Sequence, residues 1–468
     1  MRKKATVNIL QKIVAHKKKE ILQNQIKPPA QVEKMPGRNF HAAIAGKDRI
    51  ALIAEIKRRS PSCSQIFQGG QFDAGQLAQT FEKKGAAAIS VLTDRKFFGG
   101  NFDFLKSAKL STQHTPILAK DFFICQQQIQ QAKDAGADAI LLIAKILPLG
   151  KLRELLEFAR KLQLDCLVEI ADGKDLRKVL QTPASIVGIN NRNLVDFQIN
   201  LQSTFTLSKK LQGRTIVAMS GFAGNEIQLL KNVAHSVLVG TAISGAQNPG
   251  KKIQQILQPR KLLKVCGVRT MATAAFCAQR GVDLAGLNFV ENSKRKIDLQ
   301  KAKQIRQQLG ATKAVGIFQD QSQDFVEKAA QSLSLDFVQL HGNENVNFCR
   351  GVSRPVIRAL KVENEKQLEK ATRRFAPWVE IFLFDASAPG SGENFDWQVL
   401  ANFLRKKNPA KPFLIAGGVK AENLPTIWQH FSKFENFAGV DTASGVESNG
   451  QIANGKIQDL LQALELCN

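Results

Sequence analysis

Short apolar runs, rich in Val, Ile, Leu and Ala, alternate along this chain with longer stretches in which apolar positions recur every three or four residues. The runs fit buried strands, and the stretches fit amphipathic helices with one face on a core. In the first half the runs fall at 51–57, 87–93, 115–121, 139–145, 165–171, 186–191, 215–221 and 236–242. The second half repeats the count at 263–267, 284–290, 313–318, 337–342, 356–362, 381–386, 413–418 and 437–445. Alternating strands and helices predict parallel βα units, and eight such units close a (β/α)8 barrel. The expected class is α/β, with two barrels in tandem. A doubly wound open sheet is the alternative, although neither half carries the G-x-G-x-x-G of a dinucleotide-binding sheet. The join falls at 247–261, where Asn248-Pro249-Gly250 interrupts the pattern and Pro259 precedes the next strand, which divides the chain into 1–258 and 259–468. About fifty residues precede the first strand. They predict extra helices at 7–23 and 40–46, packed across one end of the first barrel.

Composition sharpens this picture. The 468 residues exceed what one hydrophobic core usually covers, and 44% apolar with 23% charged residues is a globular balance. The longest apolar stretch, 139–149, is interrupted by Lys145 and is too short to span a bilayer, so no membrane partner is expected. The segment 1–22 is basic and amphipathic but lacks an uninterrupted apolar core and a small-residue cleavage site, which argues against secretion. An organelle transit segment stays open. Seven cysteines without a C-x-x-C pair argue against a disulfide framework and a structural zinc site, and for a reducing compartment, the cytoplasm. The net charge of +26 is uneven. Residues 1–260 hold 39 Lys+Arg against 19 Asp+Glu, and residues 261–468 hold 27 against 21. Such an excess suits anionic small substrates or nucleic acid. The cations are scattered without interleaved aromatics, which disfavours nucleic acid. The chain has 29 Phe and no Tyr, a compositional bias or a recoding that nothing in the sequence explains.

In barrel enzymes the reacting groups project from the C-terminal ends of the strands, and phosphate is gripped by the loops after strands seven and eight. The first strand ends in A-E-I-K-R-R-S-P-S. Glu55 and Lys57 lie two residues apart, and so on one face. Lys120-Asp121, Glu169 and Asn190-Asn191-Arg192 end strands three, five and six. Two carboxylates and two ammonium groups in one mouth support general acid–base chemistry; as a bare ring of ion pairs they would only seal the barrel. Ser220-Gly221 and Gly240-Thr241 end strands seven and eight, and Gly417-Gly418 with Ser444-Gly445 repeat the arrangement in the second half. Small residues there let backbone N–H groups close on an anion. In the second barrel Cys266 ends strand one and Asp385 ends strand six. A lone cysteine is ordinarily an inert core residue, but a thiolate facing a carboxylic acid is a proton-transfer pair. Arg295, in the loop after strand two, can clamp a carboxylate in bidentate fashion.

The first half resembles indole-3-glycerol-phosphate synthase through E-I-K-R-R-S-P-S, S-V-L-T-D-R-K-F-F-G-G, A-K-D-F, V-E-I, G-I-N-N-R-N-L and V-L-V-G-T-A. The second resembles N-(5′-phosphoribosyl)anthranilate isomerase through K-V-C-G-V, the S-K-R loop, V-Q-L-H-G-N-E, P-G-S-G-E-N-F-D-W, I-A-G-G-V and G-V-D-T-A-S-G-V-E. Together they follow the order of the fused bifunctional enzyme of tryptophan biosynthesis. The resemblance implies an Amadori rearrangement in the second barrel. Cys266 would take the carbon-bound proton, Asp385 protonate the ring oxygen and Arg295 hold the anthranilate carboxylate. Gly390, Ser391 and Gly392 would form a loop over the substrate, and Gly417, Gly418, Ser444 and Gly445 would hold its phosphate. In the first barrel it implies ring closure with loss of carbon dioxide and water. Lys57 and Lys120 would be general acids, with the order of their steps left open. Glu55 and Glu169 would supply base and cation-stabilising carboxylates, Asn190 would orient hydroxyls and Arg192 the carboxylate. Ser60, Ser220, Gly221, Gly240 and Thr241 would hold the phosphate. No metal or organic cofactor is implied. The substrates are phosphorylated anthranilates, and a fused pair needs no association, so a monomer is expected. Three positions depart from the pattern. Met219 stands for a glutamate before Ser220-Gly221, Cys63 for a lysine after S-P-S, and Asn193 for an aspartate. The loss at Met219 predicts weakened ring closure. A chain with one working barrel, or a basic scaffold without chemistry, are the alternatives.

Overall fold

The strands that the apolar runs predict close into two rings. The computed structural model of the chain describes residues 9–23, 35–46, 49–61, 63–67, 71–193, 198–385, 397–407 and 409–467. By contacts it falls into two compact units, 1–259 and 260–468.

In the first unit β1 (Ala51–Ile56), β2 (Ala88–Leu92), β3 (Ile117–Lys120), β4 (Ala139–Ile143), β5 (Asp165–Ile170), β6 (Ile186–Asn190), β7 (Thr215–Met219) and β8 (Ser236–Val239) form a closed barrel. All neighbours are parallel, and β8 pairs back onto β1. Closure excludes the open-sheet alternative. Every second side chain points inward. Ile53, Leu118, Leu167 and Val217, from alternate strands, belong to one buried apolar cluster inside the ring. Two residues further along the same four strands come Glu55, Lys120, Glu169 and Met219, so the next layer carries three ionisable side chains.

The predicted extra helices form at Ile9–Leu22 and Phe40–Ile44. Helix Ile9–Leu22 buries Leu10 and Ile13 in that same cluster. It also sends Lys17, 4% exposed, between Asp121 Oδ1 at 2.9 Å and Asp94 Oδ2 at 3.0 Å. Burial alone would lower the lysine's pKa, but the two carboxylates raise it above its ordinary value. Asp94 Oδ1 also accepts from Phe97 and Phe98 N–H, and Asp121 accepts from Thr93 Oγ1, so one ammonium ties the helix to the ends of β2 and β3.

In the second unit the strands are β9 (Leu262–Cys266), β10 (Leu284–Asn288), β11 (Lys313–Phe318), β12 (Phe337–Leu340), β13 (Val356–Lys361), β14 (Ile381–Asp385), β15 (Phe413–Ile415) and β16 (Phe437–Thr442). They close a second parallel barrel, with β16 against β9. The phenylalanines gather on its outer layer. Phe382, Phe384, Phe413, Phe431 and Phe437 are buried between strands and helices, with ring centroids 5.6–6.4 Å apart. After β16 a two-strand hairpin pairs β17 (Glu447–Ser448) with β18 (Gln451–Ile452).

Removing one partner from a buried ion cluster leaves the others uncompensated. Lys17→Met is therefore expected to destabilise the first unit by about 3–5 kcal/mol in urea unfolding, with Lys17→Arg costing less.

Candidate active sites

In the first barrel, Glu55 is 2% exposed and lies between two ammonium groups. Lys57 Nζ is 2.7 Å from Oε1 and Lys120 Nζ is 3.1 Å from Oε2. Burial works against the carboxylate, yet the two lysines hold its pKa down to about 2, so it stays ionised at neutral pH. Lys120 is raised in turn; burial opposes this, and Glu55 and Glu169 outweigh it. Glu169 shifts the other way from Glu55. Burial raises its pKa, only partly offset by Lys120 and by Asn190, whose Nδ2 donates to Oε1 at 3.0 Å. One mouth thus holds a permanent carboxylate and a carboxyl group able to keep a proton. Asn190 Oδ1 accepts from the Arg192 N–H at 3.0 Å, and Arg192 lies within electrostatic reach of both Glu55 and Lys120.

The phosphate-end residues surround this layer. Gly240 follows β8 and opens the helix Thr241–Ser244. A Cβ at Gly240 would stand 2.0 Å from Glu55 Oε1, so this position is glycine to admit the carboxylate. Ser220 follows β7 with φ +64°, a left-handed conformation that costs a non-glycine residue about 1–3 kcal/mol. Asn191 holds this turn, donating from Nδ2 to the carbonyls of Met219 at 3.2 Å and Ser220 at 3.0 Å. Adjacent asparagines therefore divide the work, Asn190 facing the mouth and Asn191 clamping the backbone. Lys120 and Asp121 divide likewise, since Asp121 turns away to Lys17. Ser60 lies in the loop after β1, its N–H bonded to the Cys63 carbonyl at 2.9 Å.

In the second barrel, Cys266, Arg295, Asp385, Gly417, Gly418 and Ser444 line one cleft of about 650 Å³. Gly445 follows Ser444 in the turn after β16. Burial pushes the Cys266 thiol up to about 11, and Asp441 and Asp385 add to this against Lys264 and Arg295. Below the thiol on the same inward face, Lys264 is fully buried with its Nζ 2.9 Å from Asp441 Oδ1. Asp385 Oδ2 lies 3.4 Å from His341 Nε2 at the end of β12. Arg295 packs its stem over Gly267, where φ is +82° and a Cβ would meet Arg295 Cδ at 2.4 Å. Its Nε and Nη2 donate to the two carboxylate oxygens of Glu447 at 2.6 and 2.7 Å. Gly390, Ser391 and Gly392 lie outside the described residues.

Residues 10–256 match the family model of indole-3-glycerol phosphate synthase, and residues 263–463 match that of N-(5′phosphoribosyl)anthranilate (PRA) isomerase. The chain is 33% identical over 439 residues to the tryptophan biosynthesis protein TrpCF of Salmonella typhi, covering 93% of this chain and 91% of that one. It is 32% identical over 422 residues to TrpCF of Buchnera aphidicola subsp. Schizaphis graminum, covering 90% and 89%. The chain belongs to the bifunctional TrpCF family of tryptophan biosynthesis. A multifunctional tryptophan biosynthesis protein of Schizosaccharomyces pombe is 30% identical over 524 residues; the match covers 98% of this chain but 66% of that longer protein. Among solved structures, phosphoribosyl anthranilate isomerase from Thermus thermophilus is 26% identical with a TM-score of 0.40, covering 44% of this chain and all of that one.

Five side chains of the TrpCF mouths escaped the sequence reading. In the isomerase barrel these are Lys264, Asp441, His341, Gln339 and Glu447. Lys264 was within reach, because it stands two residues before Cys266 and strand alternation puts both on one face. Gln339 and His341 follow the same rule at the end of β12, where Gln339 Nε2 lies 3.2 Å from His341 Nδ1. Glu447 carried no local signal, for its partner Arg295 is 152 residues away.

A thiol at about 11 reacts through a small thiolate fraction. Alkylation of Cys266 by iodoacetamide, followed by site-resolved mass spectrometry, is expected to accelerate about tenfold per pH unit between pH 7 and 10 without levelling off near 9.

Proposed function

We propose that residues 259–468 convert N-(5′-phosphoribosyl)anthranilate to 1-(2-carboxyphenylamino)-1-deoxyribulose 5-phosphate, and that residues 1–258 close this product to indole-3-glycerol phosphate. The observation that carries the reading is the pair of opposed acid–base sets. Glu55, Lys57, Lys120 and Glu169 meet in one mouth, and Cys266 and Asp385 share the other.

In the isomerase barrel, Asp385 delivers a proton to the ribose ring oxygen, and the ring C–O bond breaks to leave an iminium. Cys266 then takes the proton from the adjacent carbon, giving an enolamine that tautomerises to the ketone. At a pKa of about 11 the thiolate is a strong base populated at roughly one part in 10⁴ at pH 7. Lys264 stabilises it. Arg295 holds the anthranilate carboxylate, and the turns at Gly417-Gly418 and Ser444-Gly445 hold the phosphate.

In the synthase barrel, a lysine ammonium protonates the ketone oxygen while the aromatic carbon that bears the carboxylate attacks. The carboxylate leaves as carbon dioxide, and its bonding electrons restore the ring. The hydroxyl then leaves as water with a proton from a lysine, and the adjacent ring carbon gives up a proton to a carboxylate, which forms the indole double bond. Glu55 stays ionised and helps to keep Lys120 charged. Glu169, raised by burial, is the carboxyl suited to accept and return protons. Asn190 and Arg192 orient the substrate's hydroxyls and carboxylate, and Ser60, Ser220, Gly221, Gly240 and Thr241 surround its phosphate. The scheme needs no metal, nicotinamide or flavin. We assign the protein to the cytoplasm as a monomer, without nucleic acid or membrane partners. Its seven cysteines are free thiols, and among the described residues no helix is long and apolar enough to cross a membrane.

A time course with freshly generated phosphoribosylanthranilate, following both the ribulose phosphate and the indole product, tests the whole scheme. Cys266→Ala and Lys120→Ala are each expected to lower one reaction by about 10²-fold or more and spare the other. Ring closure is assayed separately from supplied ribulose phosphate, because a blocked isomerase also withholds the synthase substrate; loss of both reactions in a variant that keeps its thermal stability would overturn the assignment. Met219 completes the inward layer of Glu55, Lys120 and Glu169 with a thioether, 3% exposed. Met219→Glu is expected to raise the turnover of ring closure, and an unchanged turnover would show that this position does not limit the reaction.

A further inference from the structure

Glu447 grips the side edge of the Arg295 guanidinium, and among the described residues no hydrogen bond takes its far edge. Arginine carries five N–H bonds in a planar fork. Glu447 takes one from Nε and one from Nη2, at 2.6 and 2.7 Å. Three remain, on Nη1 and Nη2, and these form a second bidentate edge able to meet a carboxylate. The residue holding the first edge is itself firmly placed. Asn449 and Gly450, with φ +51° and +73°, form the two-residue turn of the hairpin, the conformation that matches strand twist. Lys456 Nζ donates to the Glu447 carbonyl at 2.7 Å, Ala453 N–H donates to the Val446 carbonyl at 2.8 Å, and the Arg269 guanidinium donates to the Gly450 carbonyl. Glu447 also begins immediately after the turn Ser444–Val446.

We propose that Glu447 is a positioning residue that presets Arg295 for the anthranilate carboxylate and couples that grip to the phosphate turn at Ser444-Gly445. This inference rests on the reading of Arg295 as the carboxylate-binding group. Without Glu447 the long arginine side chain regains its rotamers, and binding the carboxylate must order it again. Glu447 therefore acts on binding and not on proton transfer. A glutamate that merely stood in for the absent substrate would have the opposite effect, because its removal would free the guanidinium.

The test compares Glu447→Ala and Glu447→Gln with the unaltered full chain. The isomerase reaction is measured with phosphoribosylanthranilate and with phosphoribosylaniline, which lacks the carboxylate. Glu447→Ala is expected to raise KM for the carboxylated substrate about ten- to thirtyfold, with kcat changed less than about threefold. Glu447→Gln, which keeps one acceptor oxygen, should fall between. With phosphoribosylaniline the KM of unaltered and variant proteins should coincide. Ring closure from supplied ribulose phosphate reports folding of the rest of the chain. Should Glu447→Ala lower the thermal stability of its unit, the isosteric Glu447→Gln decides. An unchanged or lowered KM for phosphoribosylanthranilate, or an equal rise with phosphoribosylaniline, overturns the proposal. Arg295→Ala separates the two layers of argument. If it leaves KM and carboxylate selectivity intact, the reading of Arg295 fails, whatever Glu447 does.

Discussion

A barrel strand turns every second residue inward, and both mouths depend on that constraint. Layers of alternate strands then gather side chains distant in sequence at one level. The apolar layer of Ile53, Leu118, Leu167 and Val217 fills the first barrel, and the layer two residues beyond holds Glu55, Lys120, Glu169 and Met219. Charge cannot enter such a layer alone, because desolvation of an isolated ion is prohibitive. Glu55 is tolerated at 2% exposure because two ammonium groups meet its two oxygens. The pairing required by burial also sets the charges. It raises Lys120 and holds Glu55 ionised, and it leaves Glu169, with fewer compensating contacts, free to move the other way.

The second barrel meets the same requirement differently. Lys264 and Asp441 neutralise each other beneath Cys266, and Arg295 and Glu447 do so beside it. Each pair spends its full charge locally, so a substrate anion meets hydrogen-bond donors more than net positive potential. Arg295, Gly417, Gly418 and Ser444 line the same cleft. In the first barrel Glu55 meets both Lys57 and Lys120, and Arg192 lies within electrostatic reach as a further cation, lowered by its own desolvation. The greater basic excess of the first half, 39 Lys+Arg against 19 Asp+Glu, points in the same direction.

Sequence pattern revealed the sixteen strands because each is a short apolar run set between longer amphipathic stretches. Residues at strand ends were legible by the same rule, and so Glu55, Lys120, Glu169, Cys266 and Asp385 all end strands or stand next to the end. Direction was harder to read. Asn190 and Asn191 are chemically identical, and only the phase of β6 sends one to Glu169 and the other to the carbonyls of Met219 and Ser220. Pairings across long separations were not legible at all. Lys17 finds Asp94 and Asp121 because a helix that precedes the barrel packs back on it, and nothing local to Lys17 announces this. Arg295 was legible as a carboxylate clamp by residue type, but nothing near it in the sequence announced its pairing with Glu447.

Met219 shows how one layer links fold to function. It belongs to the apolar cluster, and its sulfur would lie 2.5 Å from a Cβ placed at Gly188, so the thioether occupies room that a larger neighbour on β6 would fill. With methionine there, the ionisable groups of the layer of four are Glu55, Lys120 and Glu169. A carboxylate at the same place would add a negative charge beside Glu169, which burial already favours in its protonated form. The departure therefore lightens the electrostatic load of the layer while it removes a group from the substrate's surroundings. Stability and catalysis pull on this residue in opposite directions, because the barrel interior that excludes water is also the wall of the active site.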